Sequence, residues 1–282
     1  MNKIKQMIQK SFLKKLAGTP VNLLPKPYEY VREDVECVSV GLKLRGYCYL
    51  PKKEGKLKTI IISHGFGSSK LFETSVGISF AKAGYAAYTF DFAGGSYPGL
   101  GSSEGDVTKM SVLTEKQNLL DILAYVKNRP ETDLKNIFLE GESQGGFVTT
   151  ITAPEILNDI NSIVLFFPAY IITTASYDRY PQGVEIPETY SVLRNTIGRV
   201  YDLDCRKVSV YDEMKKINKP VLIIHGDKDK LVPVNYSKLA LTCFPSASLE
   251  VLKGEDHGFS NKGRQKAIRL AYSFTESHLL KD

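Results

Sequence analysis

The sequence lacks several features that would place it in a specialised class of proteins. No apolar run approaches the ~20 residues that a membrane-spanning helix needs. Its four cysteines form no CxxC pair, and neither a zinc-finger spacing nor an RNA-binding motif accompanies the net charge of +6. Internal repeats and low-complexity segments are also missing. We therefore expect no membrane span, no metal site and no nucleic-acid partner.

The first residues lack the apolar stretch of about 7–15 residues that a signal peptide requires. Lys and Gln interrupt residues 1–18, and the pattern predicts a basic amphipathic helix there. Its apolar side consists of Ile4, Met7, Ile8, Phe12, Leu13 and Leu16. Such a helix contacts a membrane surface or a partner, or it packs on the domain, and the short stripe favours packing. We expect a cytoplasmic protein with free cysteines at positions 37, 48, 205 and 243.

The rest of the chain alternates between strand and helix patterns. Predicted strands lie near 34–40, 43–50, 57–63, 85–91, 136–141, 162–167, 220–225 and 248–253. Predicted helices lie near 71–83, 111–128, 144–157, 235–243 and 261–280. The apolar continuity of the central strands favours a parallel sheet that is covered on both faces. The 43% hydrophobic and 24% charged fractions are typical of a globular protein. We expect a single domain over residues 1–282, which includes the basic helix and a lead-in at residues 1–32.

The predicted strand 136–141 runs into the sequence Gly141-Glu142-Ser143-Gln144-Gly145. A strand, a sharp turn and a helix are the context in which G-x-S-x-G forms a nucleophile elbow. The turn strains the serine backbone, and neighbouring chain passes so close to both glycines that a Cβ would clash. We therefore predict that Ser143 is a nucleophile, against the alternative of a glycine-rich turn with an incidental serine.

A serine hydroxyl is a weak nucleophile until a base removes its proton and a carboxylate orients that base. His257 follows an apolar strand and is predicted as the base, because histidine titrates near neutral pH. Asp227 and Asp229 both follow strand 220–225 and compete for the carboxylate role. Asp256 is less suited, because neighbours in sequence rarely face each other.

A loop after strand 57–63 completes the predicted machinery. It begins His64-Gly65-Phe66-Gly67, and the Phe66 N–H can converge with the Gln144 N–H on a developing oxyanion. The dipole of the helix that begins at Gln144 adds positive potential. Two other histidines, His64 and His225, stand at strand ends and are predicted to brace loops, and His278 is predicted on the surface of the last helix.

The segments HGFGSSK, DFAGGS, GESQGG, HGDKDKLVP and GEDHGF together resemble the α/β-hydrolase superfamily. More narrowly, they are similar to small bacterial serine esterases that include cinnamoyl (feruloyl) esterases. The chain order Ser, Asp, His is also that of this superfamily. The resemblance covers about residues 33–280. It implies a catalytic triad of Ser143, His257 and Asp229, with Asp229 preferred over Asp227, and oxyanion donors at Phe66 and Gln144.

Two departures limit what the resemblance implies about substrates. The family often has His where this chain has Glu142, and the segment 94–105 is longer than the usual loop at that place. Both are expected near the pocket rim. The catalytic roles therefore carry over more readily than a feruloyl substrate does.

Residues 168–207 are too long for an ordinary connection and are predicted to form an inserted cap over the site. The segment is rich in tyrosine, which offers an apolar face and a polar tip to a ligand. Tyr170 directly follows a strand end and is the candidate substrate contact, although packing of the cap explains most such tyrosines.

The sequence thus predicts an α/β-hydrolase fold, with a mostly parallel eight-stranded sheet, helices on both faces and an inserted cap. The expected activity is that of a serine carboxylesterase on small-molecule esters, which needs no metal or organic cofactor. Alternatives are a thioesterase or small-peptide hydrolase of the same fold, or a non-catalytic binding protein. The acyl preference and the oligomeric state do not follow from the sequence.

Overall fold

The computed structural model describes residues 18–97 and 99–281. Its main sheet is eight-stranded, in the order β1-β2-β4-β3-β5-β6-β9-β10. These strands are β1 (Tyr30–Ser39), β2 (Leu42–Pro51), β3 (Leu57–Ser63), β4 (Ala86–Phe90), β5 (Thr132–Glu142), β6 (Ser162–Phe166), β9 (Val221–Gly226) and β10 (Ala247–Leu252). β2 pairs antiparallel with β1 and β4, and the remaining pairs are parallel. The predicted, mostly parallel sheet is confirmed.

Helices cover both faces of this sheet. They are α1 (Thr74–Lys82), α2 (Val112–Lys127), α3 (Gln144–Thr152), α4 (Ile172–Arg179), α5 (Val200–Cys205), α6 (Val210–Lys215), α7 (Asn235–Leu241) and α8 (Asn261–Ser277). None of the helices within 18–97 and 99–281 is long and apolar enough to cross a bilayer.

The central strands bury both of their faces, because successive side chains of a strand point in opposite directions. Ile61 of β3 joins the core layer under α2 and α3, whereas its neighbours Ile60 and Ile62 join the layer under α1 and α8. In β5, Leu139 and Phe138 divide between the two layers in the same way. This double burial explains the continuous apolar runs that the sequence shows at these positions.

The parallel strands place the candidate site residues at one edge of the sheet. β3 ends shortly before Phe66, β5 ends at Glu142 just before Ser143, and β9 and β10 end shortly before Asp229 and His257. Because the carboxyl ends of parallel strands meet at the same edge, residues far apart in sequence come together there.

Several boundaries differ from the predicted ones. β5 begins at Thr132 rather than near 136, and α3 ends at Thr152 rather than near 157. A 3-10 turn, Ala153–Glu155, follows α3 because Pro154 has no N–H to continue the helical ladder. The short helix α6 was not predicted. The predicted N-terminal helix falls on residues 1–17, which lie outside the described residues.

Residues 168–207 fold into α4, a two-stranded hairpin and α5. The hairpin consists of β7 (Thr189–Val192) and β8 (Asn195–Gly198), which the sequence pattern did not predict. The segment is anchored to the body by Ser111, the N-cap residue of α2, whose Oγ donates to Asp204 Oδ2 at 2.6 Å. The same Oγ accepts the N–H of Thr114 at 3.3 Å. One serine thus caps a core helix and holds the cap.

We expect Ser111→Ala to lower the free energy of unfolding by about 2–3 kcal/mol, since it removes an N-cap and leaves a buried carboxylate oxygen without its donor. Ser260→Ala is the matched control. Ser260 caps α8 by accepting the Gly263 N–H at 3.1 Å and donates to Glu255 Oε1 at 2.8 Å, but Ser260 is exposed to water, so its loss should cost only about 1 kcal/mol. Urea denaturation measures both. Equal losses would contradict a role for Ser111 in holding the cap.

Candidate active site

Ser143 occupies a strained turn between β5 and α3. Its φ of 51° lies in the left-handed region, which is costly for a residue with a side chain. A Cβ at Gly141 would lie 2.6 Å from the carbonyl oxygen of Gly145, and a Cβ at Gly145 would overlap the Ser63 carbonyl at the end of β3. Both glycines are therefore required by crowding, as a nucleophile elbow demands.

A continuous hydrogen-bond relay runs from Ser143 to Asp229. His257 Nε2 lies 3.0 Å from Ser143 Oγ, and His257 Nδ1 lies 2.7 Å from Asp229 Oδ2. The network assigns the proton to Nδ1, which donates to the carboxylate, so that Nε2 accepts from the serine hydroxyl. This is the arrangement in which histidine can act as a general base toward serine.

Asp229 is buried yet held in its charged form. Burial by itself raises the pKa of a carboxyl, but hydrogen bonds from His225, from His257 and from the Val232 N–H outweigh it and hold the pKa of Asp229 below its ordinary value. The N–H groups of Leu231 and Val232 donate to Oδ1 at 2.9 and 2.8 Å. A fixed, ionised carboxylate is what the histidine base needs as a partner.

Two backbone N–H groups, those of Phe66 and Gln144, were predicted from the sequence as oxyanion donors. Gln144 is the first residue of α3, so its N–H has no partner within the helix. Among the described residues, neither the Gln144 N–H nor the Phe66 N–H donates to a protein acceptor. Gly65 lies against the Ser143 side chain, which brings the loop of Phe66 next to the elbow. Free N–H groups beside a nucleophile can stabilise a developing negative charge.

Comparison with known proteins identifies the family of this chain. The family model described as "Dienelactone hydrolase family" matches residues 44–278. The chain belongs to the dienelactone hydrolase family. A relative named "Uncharacterized peptidase YtmA", from Bacillus subtilis, is 24% identical over 226 residues, which cover 76% of this chain and 80% of the relative.

Solved structures show the same fold. Est1E from Butyrivibrio proteoclasticus, solved with ferulic acid, has a TM-score of 0.78 at 23% identity, over 86% of this chain and 99% of that chain. The α/β hydrolase GrgF from Penicillium has a TM-score of 0.72 at 19% identity, over 88% and 99% of the two chains. The predicted α/β-hydrolase fold is thereby confirmed.

The two other candidate acids, Asp227 and Asp256, form hydrogen bonds outside the relay. Asp227 is exposed and accepts the Gly254 N–H at 2.6 Å, and the exposed Asp256 accepts the Lys230 N–H at 3.2 Å. Asp256 also accepts the backbone N–H of His257 at 2.8 Å. In the described part of the chain, however, neither carboxylate bonds the His257 imidazole. The structure therefore brings Asp229 to the histidine, as the resemblance implied, and not its neighbour Asp227.

His225 contacts the relay, which its sequence context did not predict. Its Nε2 donates to Asp229 Oδ2 at 3.1 Å and to the Val232 carbonyl at 2.9 Å, while Nδ1 accepts from Ser237 Oγ at 2.7 Å. It braces a loop, as expected, but also orients the carboxylate. The only sequence pattern that could have indicated this is the spacing of His225 and Asp229 across a tight turn.

The remaining histidines have structural contacts. His64 Nε2 accepts the Phe92 N–H at 3.1 Å, which ties together the loops that follow β3 and β4. His278 lies just past α8, with Nδ1 2.8 Å from the Phe274 carbonyl. Both placements agree with their predicted bracing and peripheral roles.

Two cavities meet at Ser143. The larger, of about 350 Å³, includes His257 and a polar wall of Glu73, Glu142 and Arg264. The smaller, of about 180 Å³, includes Gln144 and apolar side chains of the cap. Tyr201 and the charged Arg179 also line it, and its apolar lining consists of Phe66, Ala169, Ile171, Ile172, Ala175, Val192, Leu193, Leu231 and Val232. The cap therefore forms one wall of the site, while the histidine belongs to the other cavity.

Tyr170 does not lie at either cavity, contrary to its expected role as a substrate contact. Its side chain is buried in the core, and its hydroxyl lies 2.8 Å from Thr150 Oγ1 of α3. The backbone turns inward after β6, so that the neighbours Ala169 and Ile171 face the apolar cavity instead. Tyr170 is a packing residue.

Glu142 lies at the larger cavity, where it forms a buried cluster of charges. Arg264 of α8 donates to both of its carboxylate oxygens, at 3.0 and 2.6 Å, and to Glu73 Oε2 at 2.7 Å. Behind them, Glu140 of β5 is fully buried, and neither of its oxygens has a hydrogen-bond partner among the described residues. Burial, followed by repulsion from Glu142 and Glu73, raises the pKa of Glu140 well above its ordinary value.

This raised pKa predicts that stability falls with pH. Above the ordinary carboxyl pKa the unfolded chain releases the Glu140 proton while the folded chain retains it, so the free energy of unfolding declines by up to about 1.4 kcal/mol per pH unit. Glu140→Gln cannot ionise and should flatten this decline, so its advantage over the wild type should be larger at neutral pH than at pH 5.

Chemical denaturation at pH 5, 7 and 9 measures the effect. The exposed Glu250 provides the control, since Glu250→Gln should leave the pH dependence unchanged. Parallel stability curves for the wild type and Glu140→Gln would show that Glu140 does not hold its proton in the folded protein.

Proposed function

We propose that this hydrolase is a serine carboxylesterase that works through an acyl-enzyme intermediate. The observation that carries the proposal is the relay from Ser143 through His257 to the ionised Asp229. Ser143 Oγ attacks the ester carbonyl as its proton passes to His257 Nε2, and the carbonyl oxygen becomes an oxyanion. The N–H groups of Phe66 and Gln144 hold that oxyanion, each worth about 3 kcal/mol in the transition state.

The second half of the reaction returns the proton. His257 donates it to the leaving alkoxide oxygen as the C–O bond breaks, so that an alcohol departs and an acyl ester of Ser143 remains. Water then gives a proton to His257 and attacks the acyl carbon. His257 passes that proton to Ser143 Oγ as the acyl C–O bond breaks, which releases the acid and restores the serine. Every proton transfer passes through one atom, His257 Nε2.

From the position of His257 Nε2, we assign each of the two cavities to one part of the ester substrate. His257 lines the larger cavity and not the smaller, and it must reach the leaving oxygen. The alcohol therefore occupies the larger cavity, which is the more polar of the two. The acyl group occupies the smaller, apolar cavity beneath the cap, which suits a short alkyl chain or a single ring. The fold that this chain shares with Est1E, solved with ferulic acid, makes aromatic acyl esters candidates.

A peptidase activity is the second candidate, because a curated relative is named as a peptidase. The same relay could cleave an amide, since His257 can protonate an amine leaving group as well as an alkoxide. Parallel assays on p-nitrophenyl butyrate and on aminoacyl p-nitroanilides distinguish the two, and we expect the ester to be the better substrate.

The triad itself is tested by covalent labelling. A fluorophosphonate should modify Ser143 and abolish hydrolysis of p-nitrophenyl butyrate, because the probe reacts with activated serines. Ser143→Ala should neither react nor turn over, with a loss of about 10⁴-fold or more in kcat. Peptide mapping that located the adduct on another serine would overturn the assignment. A protein that neither reacts nor hydrolyses would be a binding protein.

The neighbouring aspartates supply a matched pair for the same test. Asp229→Asn should lower kcat by roughly 10³–10⁴, because the amide no longer favours the required His257 tautomer. Asp227→Asn makes the same chemical change two residues earlier, where the carboxylate meets only the Gly254 N–H, and should cost far less. The reverse order would refute the proposed relay.

The assignment of the cavities predicts an acyl-length effect. Ala175 of α4 lines only the smaller cavity, so Ala175→Leu should narrow the space for the acyl group. We expect kcat/KM for p-nitrophenyl octanoate to fall at least about 10-fold more than for the acetate, since overfilled apolar sites cost 1–3 kcal/mol. The two esters share a leaving group, so an equal loss on both would place the acyl chain elsewhere.

A further inference from the structure

The side chain of Gln144 is buried, and it is held at both ends. Its Nε2 donates to Glu115 Oε2 of α2 at 2.8 Å, and its Oε1 accepts from the Tyr201 hydroxyl at 2.6 Å. Glu115 comes from the body of the protein, whereas Tyr201 lies on α5 of the cap. The residue that is proposed to supply one oxyanion N–H is therefore clamped between the body and the cap.

Tyr201 also contacts the other proposed donor. Its ring meets the ring of Phe66 edge to face, with centroids 5.8 Å apart and an interplanar angle of 71°. The Tyr201 side chain is 4% exposed and lines the apolar cavity to which the acyl group is assigned. A single cap residue thus contacts the acyl space and the side chains of both oxyanion donors.

The polar groups of this clamp depend on one another for hydrogen bonds, because they are buried. Gln144 is 1% exposed, so its amide oxygen has no access to water if the Tyr201 hydroxyl is removed. At the other end, burial raises the pKa of Glu115 to about 8, so this carboxyl is neutral at pH 7. A neutral acid can anchor the amide without adding negative charge behind an oxyanion site.

We propose that Tyr201 is a positioning residue through which the cap aligns the oxyanion hole. The inference rests on the proposed esterase function and adds a specific coupling to it. The hydroxyl fixes the Gln144 side chain at the first turn of α3, and the ring fixes Phe66, so both N–H donors keep their direction only while the cap is docked. Filling of the acyl cavity against Tyr201 then favours the geometry that the transition state requires.

Tyr201→Phe tests this role, because it retains the ring contact with Phe66 and removes only the hydroxyl. We expect kcat for p-nitrophenyl butyrate to fall about 10- to 100-fold, less than the loss of a whole oxyanion donor, while KM changes by less than about threefold. The inhibition constant of an alkyl trifluoromethyl ketone, whose adduct with Ser143 carries an oxyanion, should rise by a similar factor.

Tyr190→Phe is the matched control, since its hydroxyl bonds Asp202 within the cap and contacts neither donor. It should lower stability without changing the ratio of ketone affinity to KM. Similar effects of the two variants on this ratio would reduce Tyr201 to a structural role and overturn the proposal.

A double-mutant cycle tests the path of the coupling. Gln144→Met retains the backbone N–H but removes the amide that Tyr201 holds. If the hydroxyl acts through Gln144, the double variant Tyr201→Phe/Gln144→Met should lose no more activity than the worse single variant. Additive losses would overturn the proposal. Wild-type hydrolysis and Ser143 labelling are measured first, so that failure of the esterase function is distinguished from failure of this coupling.

Discussion

The rest of the site depends on one close approach of two backbone segments. Gly145, in the first turn of α3, lies against the carbonyl oxygens of Ser63 and His64 at the end of β3. No side chain fits between them, so the elbow and the β3 loop are held together by backbone contact. Gly65, two residues after Ser63, lies against the Ser143 side chain, and Ser143 itself has a positive φ of 51°. The strain at the serine is sustained by the buried strands on either side.

Two buried carboxyl groups near the elbow, Asp229 and Glu140, have pKa values that are shifted in opposite directions. Asp229 receives several hydrogen bonds that hold its pKa below the ordinary value, whereas among the described residues Glu140 receives none and its pKa is raised. The difference follows from the supply of donors, because burial penalises both charged forms. Asp229 lies in a turn with free N–H groups, while Glu140 lies inside a strand whose N–H groups are committed to the sheet. Environment therefore decides which acid can serve a histidine base.

The cap, residues 168–207, is held in place by side-chain contacts with the body of the protein. Its hairpin and short helices have no core of their own and are held through contacts such as Ser111 with Asp204 and Tyr201 with Gln144. Both contacts join a cap residue to the start of a helix in the body. In the proposed mechanism, the wall of the acyl cavity and the support of the oxyanion donors come from the same segment, residues 168–207.

The sequence alone was enough to predict the sheet and the elbow. It was also enough to single out Ser143 and His257, which the structure brings within hydrogen-bond distance. These depend on local patterns: apolar runs that end in glycine, and a fixed chain order at the carboxyl ends of parallel strands. The choice of Asp229 over Asp227 needed the family resemblance, because residues two apart in a turn share the same local pattern.

Tertiary structure decided the roles that depend on which side chains meet across the fold. His225 meets Asp229, Tyr201 meets Gln144, and Arg264 meets Glu142, each through contacts that local periodicity does not encode. Tyr170 follows a strand end, where a substrate contact was expected. Its ring instead packs in the core, and its hydroxyl lies next to Thr150 Oγ1. The physical reason is that backbone preference is local, whereas burial and hydrogen-bond pairing are settled only when distant segments pack together.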